Sequence, residues 1–186
     1  MSDGVGKGGA AAGDRWIVLV GLMGAGKSAV GRVLAERTGR PHLDADAEIE
    51  AAAAARIAEI FERDGEAFFR RREAEVIGRI LSGPPGILST GGGAWMWEAT
   101  RAAIARRGVS VWLRADLDTL WHRVKGRSHR PLLRAENPRA VLGDLIEKRY
   151  PTYALADLTV ESLSGRDVGG TADAVLDALA SREVRA

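Results

Sequence analysis

Cysteine and glutamine are both absent from this chain of 186 residues. Without cysteine there is no disulfide framework and no thiolate metal site. Asparagine occurs once, at Asn137, and proline follows it. An Asn-Lys-x-Asp guanine reader is therefore excluded, and the glutamine that orients water in many GTPases is missing too. No stretch approaches the roughly 18–20 consecutive apolar residues that a bilayer-spanning helix needs. Lysine is scarce: Lys7, Lys27, Lys125 and Lys148 are the whole set, and arginine supplies the remaining basic charge. The formal net charge of +2 is too small a surplus to imply a nucleic-acid partner. His42, His122 and His129 lack metal-ligand spacing. The Gly/Ala-rich start has no apolar signal-peptide core. Residues 1–14 are expected to form a flexible tail and 15–186 a single domain. The expected protein is a cytoplasmic monomer with no membrane or nucleic-acid partner.

What the chain does have is Gly21-Leu22-Met23-Gly24-Ala25-Gly26-Lys27-Ser28. This is G-x-x-x-x-G-K-[ST], the phosphate-binding P-loop. Its context is right. Trp16–Val20 ahead of it is an apolar, β-branched run that reads as a buried strand, and Val30, Val33 and Leu34 behind it recur at helical spacing. Glycines let successive backbone N–H groups turn into one concavity, and the following helix adds positive charge at its N-terminus. Gly24, Ala25, Gly26, Lys27, Ser28 and Ala29 are the expected nucleotide contacts. Lys27 would reach the β- and γ-phosphates, and Ser28 would offer its hydroxyl to Mg²⁺.

Strand-like runs are Trp16–Val20, one ending near Leu43, Ile87–Ser89, Val109–Leu113 and Leu158–Val160. Helical patterns cover Lys27–Arg37, Ile57–Leu81, Ala99–Arg107, Asp116–Lys125, Pro138–Tyr150 and Thr171–Ala180. Asp116, Asn137 and Thr171 are candidate N-caps. The alternation predicts an α/β fold: a P-loop three-layer sandwich in which a parallel sheet is covered by helices on both faces. Ligands of such sheets sit at the carboxyl ends of the strands. Three polar clusters fall there: the P-loop, Asp44-Ala45-Asp46 and Gly91-Gly92-Gly93.

Phosphoryl transfer to an alcohol needs a phosphate cradle, Mg²⁺, an acidic group at the hydroxyl and shielding from water. Strand alternation points Asp44 and Asp46 in roughly the same direction. One carboxylate can then serve the metal shell and the other the substrate hydroxyl. The plainer alternative is an Asp-rich turn that caps a helix. The glycine triplet lets a ligand approach backbone N–H donors. Arg70 either faces an anionic substrate or pairs with Glu73 on a solvated helix face. Residues 126–136, opened by Gly126 and rich in arginine, read as a lid that would carry an arginine into the site on closure.

Taken in order, these motifs resemble the shikimate kinase family. The match runs through the P-loop, Gly31-Arg32, Asp44-Ala45-Asp46, Ile49-Glu50, Ile60-Phe61, Gly65-Glu66, Phe69-Arg70, Gly91-Gly92-Gly93-Ala94, Arg130-Pro131-Leu132-Leu133 and Arg149. The resemblance implies a fold like that of nucleoside monophosphate kinases, with a five-stranded parallel sheet and substrate-binding helices over about 45–81. It implies transfer of the γ-phosphate of ATP to the 3-hydroxyl of shikimate, on the route to chorismate and aromatic amino acids. Asp46 would contact the reacting hydroxyl as base. Arg70 and Arg149 would hold the carboxylate, and Gly92 and Gly93 would position the ring hydroxyls. Arg130 would approach the transferring phosphate, and Arg123 would lie against adenine. Ser28 and Asp44 would serve one Mg²⁺, Asp44 through water. Two features depart from the family pattern: Ala53-Ala54-Ala55-Arg56 ahead of Ile57, and Trp97 after the glycine triplet.

The nearest rival is another small-molecule kinase, acting on gluconate or a nucleoside monophosphate. Paired arginines suit a carboxylate or a phosphate equally, and the context of Asp46 and the glycine triplet favours a polyol acid. Asp167-Val168-Gly169-Gly170 mimics a short GTPase motif, but the missing asparagine and glutamine oppose that reading. A non-catalytic nucleotide-binding module would be expected to lose Lys27 or Asp46, and both are present.

Overall fold

Trp16–Val20 is apolar at every position, and all five residues are buried. A strand buried on both of its alternating faces must be covered on both sides, which is the condition of a parallel sheet between helix layers. The computed structural model describes residues 15–126 and 136–183 and shows that arrangement. The order is β1 (Trp16–Val20), α1 (Lys27–Thr38), β2 (His42–Asp44), α2 (Ala45–Ala53), α3 (Ile57–Leu81), β3 (Ile87–Ser89), a 3₁₀ turn (Ala94–Met96), α4 (Glu98–Arg107), β4 (Gly108–Arg114), α5 (Leu117–Val124), α6 (Pro138–Tyr153), β5 (Leu158–Glu161) and α7 (Val168–Glu183). The five strands are parallel in the order β2-β3-β1-β4-β5. Ile17 lies between Ile87 and Val109, so the P-loop strand is central. The chain leaves β1 for one edge and returns to the other side of β1 only at β4. The crevice beyond the end of β1 is thus the topological switch point where such folds bind ligands.

Two apolar clusters hold the fold. The main core includes Val18, Leu19, Leu34, Ile87, Val111 and Leu120. A small satellite of Ile49, Ile60 and Phe69, with Phe61 and Phe68 against it, ties α2 to α3. Within α3, Gly65 leaves the helical region at φ 79° and ψ 169°, so two helical stretches meet at a bend there. Among the described residues, no helix is long and apolar enough to cross a membrane.

Three boundaries differ from expectation. Asp44 is the N-cap of α2, accepting from the Asp46 N–H at 3.1 Å. Asp44 and Asp46 are therefore brought together by a strand end and a first helical turn, not by strand alternation. α6 runs on through Pro151 to Tyr153. Bonds from outside the helix hold this last turn: Trp95 Nε1 to the Thr152 carbonyl at 2.9 Å, and Tyr150 and Tyr153 to carbonyls beyond it. α7 is capped by Asp167, which takes the Gly170 N–H at 2.7 Å, so Thr171 lies inside the helix. Asp116 and Asn137 do cap their helices, accepting from Thr119 and Ala140.

Candidate active site

The P-loop follows β1 directly and depends on backbone that only glycine adopts freely. Gly24 and Gly26 have φ of +82° and +97°. A Cβ on Gly24 would also lie 2.8 Å from Val124, because α5 packs beneath the loop. The loop carbonyls are held from outside. Ser162 donates to the Ala25 carbonyl at 2.9 Å, and Arg123 to that of Gly24 at 3.2 Å. A planar trans peptide then turns the Gly26 N–H the opposite way from the Ala25 carbonyl. α1 starts at Lys27 with no side-chain cap and no acidic residue in its first turn, so its positive end is left for an anion. The Lys27 ammonium lies along the loop, donating to the Gly21 and Leu22 carbonyls at 2.7 and 3.1 Å.

Beside the loop, Ser28 Oγ meets Asp44 Oδ2 at 2.5 Å. Both expected metal groups are thus brought together, and Asp44 also caps α2 as the plainer reading expects. A hydroxyl and a carboxylate are hard oxygen donors, the kind Mg²⁺ prefers. Among the described residues no group of three or more His, Cys, Asp or Glu could hold a metal alone. A cation here would therefore complete its shell with phosphate oxygens and water, the usual arrangement for Mg²⁺ on a nucleotide.

A cleft of about 550 Å³ extends from the loop, bordered by Gly26, Lys27, Ser28, Ala29, Arg123 and Arg166. Arg123 forms part of its wall. Its guanidinium donates to Ser162 Oγ at 2.8 Å and to the Leu163 carbonyl at 3.0 Å, and burial lowers its pKa. A second cavity of about 530 Å³ lies between α2 and α3, lined in part by Ile49, Ala52, Phe68 and Arg72. It holds neither the P-loop nor Asp46, and we give it no part in the chemistry.

The acceptor end of the site forms where β3 ends. A Cβ on Gly91 would lie 2.6 Å from Asp46 Oδ1 and 2.9 Å from Glu73 Oε1, and one on Gly93 would lie 2.3 Å from Arg70 Nη2. Side chains from α2 and α3 therefore close onto Gly91 and Gly93, where a methyl group would meet them, while Gly92 faces the P-loop backbone at ordinary contact distance. Arg149, from α6, donates to the Gly92 carbonyl at 3.2 Å. Asp46, Arg70, Gly92, Gly93 and Arg149 are thus brought to one place.

Arg70 pairs with Glu73 at 2.7 Å, their side chains only 11% and 2% exposed. The pairing is real, but the face is buried rather than solvated. Phe69 and Phe61 lie 5.0 and 5.8 Å from the Arg70 guanidinium carbon. Burial pushes the Glu73 carboxyl up; Arg70 opposes this, while Asp46 and Glu66 add to it.

The sequence marks Glu73 only as a helical partner, marks Gly91 only as part of the triplet, and does not single out Tyr153 or Ser162. Spacing gave a hint for Glu73 alone, as the i,i+3 neighbour of Arg70. Tyr153 and Ser162 are placed by packing between distant elements. His42 is structural: its ring contacts Ser89 Oγ at 3.0 Å, and burial lowers its pKa. Trp95 is buried and Trp97 is 45% exposed. Arg130, His129 and most of the expected lid lie outside the described residues.

Comparison with known proteins adds to this geometry. A family model described as shikimate kinase matches residues 23–180. A shikimate kinase of Ruegeria pomeroyi is 57% identical over 176 residues, covering 95% of this chain and 90% of its own. One from Rhizobium leguminosarum bv. trifolii is 54% identical over 172 residues, covering 91% and 86%. Among solved structures, a shikimate kinase from Acinetobacter baumannii in complex with shikimate matches with a TM-score of 0.84 and 39% identity, covering 91% of this chain and 94% of that one. A gluconokinase from Sinorhizobium meliloti matches with a TM-score of 0.62 at 19% identity, covering 92% and 95%, a likeness of fold alone.

Proposed function

The chain belongs to the shikimate kinase family, and from that premise we propose that the cluster between the P-loop and the glycine triplet is where the γ-phosphate of ATP passes to the 3-hydroxyl of shikimate. The observation that carries this assignment is the closure of Asp46 and Arg70 onto Gly91 and Gly93, next to a cradle that holds Lys27 and Ser28.

The hydroxyl oxygen attacks the γ-phosphorus, its bond to the β–γ bridging oxygen breaks, and ADP leaves. Asp46 takes the hydroxyl proton. Lys27 swings from the loop carbonyls to the β- and γ-phosphates, where charge redistributes as the bond breaks. Gly24, Ala25, Gly26, Ser28 and Ala29 cradle the phosphates, and Arg123 walls the adenine side. Arg70 and Arg149 fork onto the shikimate carboxylate, and Gly92 and Gly93 present backbone to its ring hydroxyls. Ser28 and Asp44 would hold one Mg²⁺, Asp44 through water, and the ion would supply neutralisation of phosphate charge. Arg130 completes the set by resemblance. Use of ATP supports a cytoplasmic setting.

The carboxylate assignment has a direct test. Arg70→Lys and Arg149→Lys should each raise KM for shikimate, because a point charge replaces a planar fork. Wild type should discriminate strongly against the amide analogue of shikimate, and each variant less so. Equal discrimination by wild type and variants would remove these arginines from the carboxylate.

A further inference from the structure

Tyr153 closes α6 and is fully buried, at 0% exposure. Its ring stacks on Trp112, with centroids 5.8 Å apart and planes at 13°. A phenol buried this deeply needs a hydrogen-bond partner. It finds one in the Gly92 carbonyl, the acceptor that Arg149 also uses, at 3.2 Å. Arg149 and Tyr153 are i,i+4 neighbours, so one helix face delivers both donors to one oxygen. A carbonyl has two lone pairs, and here each has a donor. Burial raises the pKa of the phenol, which therefore remains a donor wherever the enzyme works.

We propose that Tyr153 is a positioning residue for the anionic substrate: its hydroxyl fixes the Gly92 carbonyl and through it the seat of Arg149. With one lone pair taken, Arg149 has a single place to dock. Its other N–H groups are then aimed rather than free to rotate. The Gly92–Gly93 peptide is fixed as well, since its N–H must point opposite to its carbonyl. This role rests on the reading of Arg149 as a carboxylate ligand.

Tyr150 is the built-in comparison. It lies on the same helix, meets the same Trp112 ring edge-on at 4.9 Å, and donates to a carbonyl outside the site, that of Ala115. Tyr153→Phe and Tyr150→Phe each remove one hydroxyl and keep the ring. Steady-state kinetics of the full chain should show KM for shikimate raised about three- to tenfold in Tyr153→Phe, the size of one hydrogen bond. KM for ATP should stay unchanged and kcat should fall less than about twofold. Tyr150→Phe should lose similar thermal stability and keep wild-type KM. Shikimate-induced shifts in melting temperature read the same affinity change without turnover, even in a destabilised variant. Arg149→Lys is run alongside. If it raises KM while Tyr153→Phe stays within twofold of wild type, the positioning role is wrong. It is equally wrong if both Phe variants raise KM alike, because that is general loosening of α6. If Arg149→Lys leaves shikimate kinetics untouched, the carboxylate reading itself fails and the role of Tyr153 falls with it.

Discussion

Arg70 shows how one residue serves two roles. Its guanidinium needs a counter-charge to be buried, and Glu73 supplies one at 2.7 Å. The same pairing fixes the side chain against Gly93. A pairing rule on helix spacing finds the partner; only packing reveals that both are buried. Glu73 carries a pH signature. Its folded-state pKa is raised by burial. The folded state therefore holds this proton more tightly than the unfolded chain. Its stabilising contribution is complete below the unfolded pKa and is lost as pH rises through the folded one. Melting temperatures of wild type and Glu73→Gln, measured from acid to neutral pH, should show wild type losing ground to the variant as pH rises. A constant difference would mean that Glu73 titrates normally. For Asp46 the expectation is chemical. Asp46→Asn keeps the shape and the backbone cap to Asp44, so nucleotide affinity should survive while kcat falls about 10²–10⁴-fold. Loss of ATP binding with normal turnover would make Asp46 a metal residue instead.

At the scale of elements, legibility follows how local the signal is. β1, the P-loop and α1 were readable because strand pattern, glycines and helix period adjoin in sequence. Among the helices, α2 was not readable from pattern. Ala45–Ala53 buries only Ala45 and Ile49, too little for a period to emerge. Its helical character is signalled by the capping reading of Asp44 and by family resemblance. Strand alternation gave the right proximity for Asp44 and Asp46 from the wrong geometry. The pattern ends α6 at Tyr150 because proline normally stops a helix, and the tertiary bonds that hold its last turn leave no local trace. The pattern reads the glycine triplet as open backbone, yet at Gly91 and Gly93 side chains from two helices fill the space where a Cβ would be. Gly93 has φ −107°, which alanine adopts without strain. Gly93→Ala should therefore act only by pushing the Arg70 guanidinium aside. KM for shikimate should rise about tenfold or more, with ATP binding unaffected. Gly78→Ala, in open space on α3, should instead leave kinetics alone and stabilise by about 0.5–1 kcal/mol. Similar kinetics for the two variants would contradict the packing described at Gly93.

Across the whole molecule, the site spans two apolar clusters. The P-loop stands on the main core, whereas Asp46 and Arg70 ride on helices tied by Ile49, Ile60 and Phe69. Phe69→Ala should cost about 3–5 kcal/mol and harm shikimate use more than ATP binding, because that ring also backs Arg70. The central proposal is that the nucleotide cradle passes phosphate to a polyol held by the carboxylate-reading arginines. Its most direct test is ADP release from ATP by the full chain with shikimate, with gluconate and with no acceptor, the phosphorylated product being identified by phosphorus NMR. Rapid ADP release that needs shikimate and yields the 3-phosphate is the predicted result. ADP release indifferent to shikimate, or faster with gluconate, would contradict the account.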